Sequence, residues 1–539
     1  MADGQRVDVA ILGGGLAGLT LALQLRQEHP DLSITVLERR AHAAPEAAFK
    51  VGESTVEIGA FYFAEVLGLR EHLEREQVRK FGFRFFFSDG RSDIDRCTEI
   101  GVSRLLPTPS WQIDRGRFEN ILGGLARERG IDLRAGRVAR AVAMGEGETD
   151  HRIDWSCADG QGTLSARWVV DASGRAGLLK RQLGLARGND HDANAVWWRV
   201  DGIIDPNDWS DDAQWRARCT PPDRWRSTNH MCGAGYWFWL IPLASGAHSL
   251  GIVCDARIHP LDTMDTHAKA MAWLHRHQPR VARALEAPGH AVKDFRFLRG
   301  FSYGCSQVFG ERWALTGEAG LFLDPFYSPG SDFIAISNTF IADLVARDRA
   351  GQAHAPHAAL YGQLYQSFYA NTLTLYQDQY ALFGDERVLP VKVIWDYTYY
   401  WSLLAPVFCG GRITDIAMYS RLRPLFERGS ALNAAMQPLL REWGRLNAGS
   451  AAPAAGRQLD QYGIDWFHEL NRSLQDRLDD EAFDARIAGN LRRMEALAAE
   501  TLARARDVHP GIDAPGLDAL LSGVPAQPAS LAPLWYAAA

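Results

Sequence analysis

Short apolar runs broken by glycines and charges open the chain. Val7 to Leu12 form one such run ending in glycines, Leu16 to Leu25 carry helical spacing, and Ile34 to Leu37 form a second run that ends at Glu38. This order predicts a βαβ unit. Ile58, Phe61, Tyr62, Val66 and Leu69 share one helical face, whereas Phe81, Phe83, Phe85 and Phe87 alternate as on a half-buried strand. A helix from Phe118 to Arg129 follows, then strands through Val138, at Ile153 to Cys157 and at Leu164 to Val170, the last ending at Asp171.

Beyond residue 190 the pattern turns β-rich, around Val196 to Val200, Tyr236 to Pro242 and Ser249 to Val253, with a helical insert near Thr263 to Leu285. A strand at Trp313 to Thr316 then leads through a Gly/Pro loop into a helix from about Phe333 to Arg347. After about residue 350 the pattern is helical. It includes an aromatic stretch, Trp395, Tyr397, Tyr399, Tyr400 and Trp401, that reads as a helical cap or an association surface. Gly449 to Gly456 and the Ala/Pro-rich tail after Gly523 read as loops or disorder, and no internal repeat is visible. The expected class is α/β: a Rossmann-like dinucleotide domain over 1–190, an inserted β-rich substrate domain over 191–300, a return to the first domain over 301–350 and a helical region over 351–539.

Composition narrows the function classes. At 539 residues, 47% hydrophobic and 23% charged, the chain has the make-up of an ordinary globular enzyme, with an unusual load of 17 Trp and 24 Phe. A net charge of −7 gives no electrostatic reason for a nucleic-acid or anionic-membrane partner. The seven cysteines (97, 157, 219, 232, 254, 305 and 409) never fall as C-x-x-C, so neither a zinc site nor a disulfide framework is indicated and a cytoplasmic setting is expected. Val9 to Leu25 lacks the basic flank of a signal peptide, and no uninterrupted apolar run reaches membrane-spanning length.

The first chemical signal is Gly13, Gly15 and Gly18, a G-x-G-x-x-G between the first strand and its helix. Absent side chains let backbone N–H groups reach a pyrophosphate at the positive end of the helix. Leu16 and Ala17 sit in that turn. Glu38, 20 residues after Gly18, stands where a carboxylate accepts a ribose hydroxyl, with Arg39 beside it.

Three further segments resemble the FAD monooxygenase and halogenase superfamily: Gln112-Ile-Asp-Arg115, Val169-Val-Asp-Ala-Ser-Gly174, and Thr316-Gly-Glu-Ala-Gly320 running into Asp324-Pro325. Trp237-Phe-Trp239-Leu-Ile241-Pro242 fits the W-x-W-x-I-P pattern of the flavin-dependent halogenases, and Val51-Gly52-Glu53-Ser54-Thr55 is similar to a family segment lying against the isoalloxazine. The resemblance implies FAD as cofactor, held by Gly13, Gly15, Leu16, Ala17, Gly18, Glu38, Arg39, Gly52, Glu53, Ser54, Arg115, Asp171, Gly317, Glu318, Asp324, Pro325 and Gly330. It implies a halide bound at Ser328, Gly330 and Ser331, and a strand, Trp237, Trp239, Ile241 and Pro242, that bars the organic substrate from the oxidant. Lys80 matches the family's catalytic lysine by position, with Arg79 and Lys50 as competitors. Hypohalous acid made from reduced FAD, dioxygen and halide would be directed at a ring carbon by the Lys80 ammonium, either through a hydrogen bond or as a haloamine.

Three departures shape the expectation. Glu318 stands where the family usually has Asp. Tyr327 replaces the Glu of the tryptophan-specific members, which moves the expected substrate to a phenol or pyrrole, free or on a carrier protein. Pro329 removes a backbone N–H where the family's halide site uses one. Because there is a single dinucleotide fingerprint, a separate flavin reductase is the expected partner. Two alternatives stay open: a monooxygenase or oxidase that ignores halide, and a flavin-binding protein without catalysis.

Overall fold

The computed structural model describes residues 5–47, 50–448 and 457–524. The chain divides into two units, one of 1–77, 113–190 and 301–370, the other of 78–112, 191–300 and 371–539. Gly449 to Gly456 and the tail past residue 524 lie outside the described residues.

In the first unit, Gln5–Leu12 lies at the centre of a sheet whose parallel strands run in the order Trp313–Leu315, Gly160–Asp171, Gln5–Leu12, Ile34–Glu38 and Asp132–Ala135. Their registers bring Leu12 opposite both Leu37 and Asp171, and Asp171 opposite Leu315, so the strands end together. Loops leaving a common carboxyl edge are where open parallel sheets bind ligands. The helices Leu16–Glu28 and Gly330–Arg349 pack on each other here. The helix Ala355–Leu373 belongs to this unit rather than to the helical region expected from 351: Tyr361 stacks on Phe340 at 4.4 Å and Tyr365 meets Phe333 edge-on.

The second unit holds an eight-stranded sheet in the order Val292–Leu298, Ala193–Asp201, Ala247–Asp255, Tyr236–Pro242, Thr228–Gly233, Phe83–Phe87, Glu99–Gly101 and Gln458–Asp460. Segment 78–112, expected with the dinucleotide domain, is in this unit because Phe83–Phe87 pairs in parallel with Thr228–Gly233. The Phe-rich strand also differs from the half-buried alternation expected of it. It starts at Phe83, and all five residues are buried, because Phe86 joins the core on one face and Arg84 is ion-paired to the buried Glu99. On that core face Tyr236, Phe238 and Leu240 pack with Trp273, Leu274 and Val281 of the helices His267–His277 and Pro279–Leu285. The aromatic stretch of 395–401 is largely interior: Trp395 and Trp401 are buried, and Trp395 donates to Asn433 at 3.0 Å. Among the described residues no helix is long and apolar enough to cross a membrane.

Candidate active site

The dinucleotide turn is shaped by what its glycines leave out. A Cβ on Gly13 (φ +118°) would lie 2.4 Å from the Ala172 carbonyl oxygen, and one on Gly18 would lie 2.0 Å from that of Gly13, so both positions exclude a side chain. A Cβ on Gly15 would meet nothing within 4 Å, which leaves the helix end approachable. Leu19 N makes the first bond of the helix, to Gly15 O, and no side chain caps it. The N–H groups of Leu16, Ala17 and Gly18 therefore have no intrahelical acceptor.

Charges gather beside this turn. Glu38 accepts from Gly14 N at 2.6 Å and from Arg40 N at 2.7 Å, so the expected ribose acceptor is already oriented by backbone. Arg39 is exposed, and Arg40 is the residue that turns inward, donating to Gly14 O and to Glu119, both at 3.1 Å. Glu119 also meets Lys50 at 2.9 Å and Arg115 at 2.8 Å. Burial alone would raise its carboxyl, but Arg115, Lys50 and Arg40 outweigh that and bring it down to about 2. Arg115 further donates to Val51 O at 2.9 Å and Gly52 O at 3.3 Å, clasping the segment that continues into the buried Glu53, Ser54 and Thr55.

The remaining loops of this unit divide by role. Asp171 is buried and spends its two oxygens on Ser173 N (2.9 Å) and Leu179 N (2.7 Å), so it holds the loop in shape. Gly317 has a positive φ that favours glycine, and Glu318 forms an ion pair with Arg175 at 2.9 Å. Asp324 accepts from Phe326 N at 2.9 Å, Pro325 O accepts from Ser328 N at 2.9 Å, and Tyr327 is buried against Phe326. Pro329 stands at the cap of Gly330–Arg349, and Phe333 N makes the first helical bond to its carbonyl. Gly330 is exposed, and a Cβ there would meet nothing within 4 Å. Ser331 Oγ is buried without a hydrogen-bond partner among the described residues, packed where a Cβ on Gly59 would come within 2.3 Å of it.

In the second unit, Lys80 follows the short ladder of Val78–Arg79 with Trp111–Gln112, and its N–H donates to Ser110 O at 2.9 Å. The side chain is buried, with Nζ 3.3 Å from the centre of the Phe83 ring, so a cation lies on an aromatic face. Phe83 stacks on His230 at 5.4 Å, His230 stacks on Phe85 at 4.9 Å, and the edge of Trp237 meets His230 at 5.0 Å. Strand alternation turns Trp237, Trp239 and Ile241 away from the core face taken by Tyr236, Phe238 and Leu240, and Pro242 ends the strand. Trp237 donates to Tyr380 Oη at 3.0 Å and Trp239 to Ser249 Oγ at 3.2 Å. Gly251, paired with Trp239 across the strands, has no room for a side chain because a Cβ would lie 2.1 Å from that indole.

Comparison with known proteins agrees with this geometry. The FAD binding domain family matches residues 6–236. Flavin-dependent halogenase chlA of Dictyostelium discoideum is 25% identical over 75% of this chain and 71% of its own. A 1H-pyrrole-2-carbonyl-(peptidyl-carrier protein) chlorinase of Pseudomonas fluorescens is 27% identical over 62% of this chain and 74% of its own. Among solved structures, halogenase PltM superposes with a TM-score of 0.64 at 18% identity, covering 90% of this chain and 99% of that one. The chain is similar in sequence to flavin-dependent halogenases and shares its fold with solved ones.

The protein is an FAD-dependent oxidoreductase. Its residues fit that cofactor: an uncapped helix end, glycines that keep the approach clear, and a cationic group beside them. Of the three cations weighed for catalysis, Lys50 is committed to Glu119, with burial holding its amine below the usual value and Glu119 offsetting part of that. Arg79 lies over Trp111 at 5.5 Å, which leaves Lys80 as the one set among the rings of the Trp237 face. Sequence reasoning missed Arg40, Glu119, Arg175 and His230. The i, i+4 spacing of Arg115 and Glu119 was a usable signal for one of them. Nothing in the sequence marks His230 until the strands are paired. Its imidazole is held well below the usual value, by burial first and by the charge of Lys80 second, so it stays neutral.

Proposed function

We propose that this enzyme halogenates an electron-rich ring, of phenol or pyrrole type, free or tethered to a carrier protein, with Lys80 directing the halogen. The observation that carries the reading is the buried Lys80 ammonium, set on Phe83 and joined through His230 to the Trp237 face. FAD, when bound and supplied reduced by a separate reductase, furnishes with dioxygen the oxidising equivalent that turns bromide or chloride into hypohalous acid. Lys80 then donates a hydrogen bond to the oxygen of that acid. The halogen becomes more electrophilic, and the ring carbon takes it as the O–halogen bond breaks. The oxygen takes the shared Lys80 proton and leaves as water, and the proton lost by the ring restores the Lys80 ammonium through solvent. Trp237, Trp239 and Ile241 restrict access by bulk. Tyr327 gives the site no carboxylate base, which suits rings that activate themselves. Support for a tethered substrate comes from the pyrrole-2-carbonyl carrier-protein chlorinase that the chain resembles.

One observation favours a second reading, a monooxygenase indifferent to halide: the cap residue of Gly330–Arg349 is Pro329, which has no N–H to give an anion. Mass spectrometry of a phenol, pyrrole and indole panel, with a flavin reductase and either halide, separates the two. Halogenated product is the expected result, and hydroxylated product unaffected by halide would establish the second reading.

A further inference from the structure

Glu318 stands where an aspartate is usual in the family, and its surroundings explain how the longer side chain is used. The turn Gly317–Ala319 lies against the dinucleotide helix, since a Cβ on Gly317 would come within 3.0 Å of the Ala17 Cβ. Its backbone is fixed from two sides: Tyr303 Oη donates to Glu318 O at 2.6 Å, and Lys180 Nζ donates to Gly320 O at 3.1 Å. Lys180 is thereby spent on the backbone, lying 3.9 Å from the centre of the Tyr303 ring. The cation that meets the carboxylate is Arg175, through Nε to Oε2 at 2.9 Å, and both side chains remain about a third exposed. Arg175 is itself held, over the Phe322 ring at 4.8 Å and the Tyr303 ring at 5.5 Å, and by a bond from Nη1 to Phe301 O at 3.3 Å.

A carboxylate on a rigid turn, beside the dinucleotide helix and still partly exposed, has acceptor capacity left after one oxygen is taken. We propose that Arg175 is a positioning residue for FAD that acts through Glu318: it fixes the carboxylate so that its remaining lone pairs meet a cofactor hydroxyl. The extra methylene of glutamate is what lets that carboxylate reach Arg175. An aspartate on the same backbone would keep the charge and lose the ion pair. Installing the family's usual residue should therefore weaken this protein's hold on FAD.

The experiment is a titration of the deflavinated full-length chain with FAD, followed by flavin fluorescence, together with thermal melting of each apoprotein. Glu318→Asp and Arg175→Gln are each expected to raise Kd about tenfold, and the double variant is expected to be no more than about threefold worse than either. Arg175→Lys, which keeps a charge without the fork, should fall between wild type and Arg175→Gln. Any of three results would overturn the assignment: Glu318→Asp binding FAD within twofold of wild type, losses that multiply in the double variant, or lowered melting temperatures with unchanged Kd. Because the readout is cofactor binding, the assignment can fail or stand whatever the enzyme does to an aromatic ring.

Discussion

The candidate site in the first unit is built mostly from backbone, whereas the one in the second is built from side chains laid on a sheet. In the first, Gly13, Gly15 and Gly18 act by what they lack, and the charges that matter are clustered on Glu119. In the second, Lys80, Phe83, His230 and Trp237 form a column in which every member is a specific side chain. A backbone site tolerates no added bulk but asks little of residue identity. A side-chain site asks for identity at each place, so single substitutions in the two units should fail in different ways.

The largest expected effect separates the units outright. Lys80→Ala should cut halogenated product at least about 100-fold while leaving FAD binding and oxygen consumption near wild type, because the task proposed for it follows hypohalous acid formation. Product retained in that variant would remove Lys80 from the chemistry and reopen the competition between Lys50 and Arg79. The next effect belongs to the first unit and to stability. Glu119 is held at about 2 against an ordinary 4.5, so the unfolded chain takes up its proton first as pH falls. Its contribution, about 3 kcal/mol, is complete above pH 4.5 and drains away between there and about pH 2. Thermal melting from pH 6 to pH 3 should slope less steeply in Glu119→Gln than in wild type. Parallel slopes would mean that the three cations do not depend on this carboxylate.

How much was legible in the sequence follows from the same contrast. The Gly-rich turn, Glu38 and the parallel strands were readable because a strand, a turn and a helix in immediate succession fix their own geometry. The W-x-W strand was readable as a motif, yet the direction its indoles face depends on which neighbours fill the other side, and that required Phe238 and Leu240 to be seen packing against Trp273 and Leu274. Residues 78–112 were assigned to the wrong neighbour because a parallel pairing between Phe83–Phe87 and Thr228–Gly233 spans more than a hundred residues without a local signal. Arg39 was named and Arg40 went unnoticed for the same kind of reason, since adjacency to Glu38 does not say which side chain turns inward.

A smaller effect tests whether the column acts as a unit. His230→Ala removes the ring stacked on both Phe83 and Phe85 and should lower halogenation about tenfold, with FAD affinity unchanged. His230→Phe keeps a ring there and should recover most of that loss, because the imidazole is neutral and no proton transfer is asked of it. If His230→Phe is as impaired as His230→Ala, the nitrogen atoms matter and the column is more than a floor for Lys80.

The smallest expected effect returns to the first unit, at Pro329, where the proposed halide site lacks a backbone N–H. Pro329 caps the helix Gly330–Arg349 without an N–H, so an anion approaching that end can draw only on donors from Gly330 onward. Losing a donor removes part of the compensation for leaving water, and chloride, the more strongly hydrated ion, suffers more from that loss than bromide. Bromide is also the easier of the two to oxidise. Bromination should therefore exceed chlorination in a competition at equimolar halide. Pro329→Thr restores an N–H and should shift the product ratio toward chloride by about three- to tenfold, provided that Ser328, at φ +55°, keeps the loop on its course. Chlorinated product dominating in wild type would show that the proline costs the halide nothing. An unchanged ratio in the variant, with its loop intact, would show that the anion never used this position.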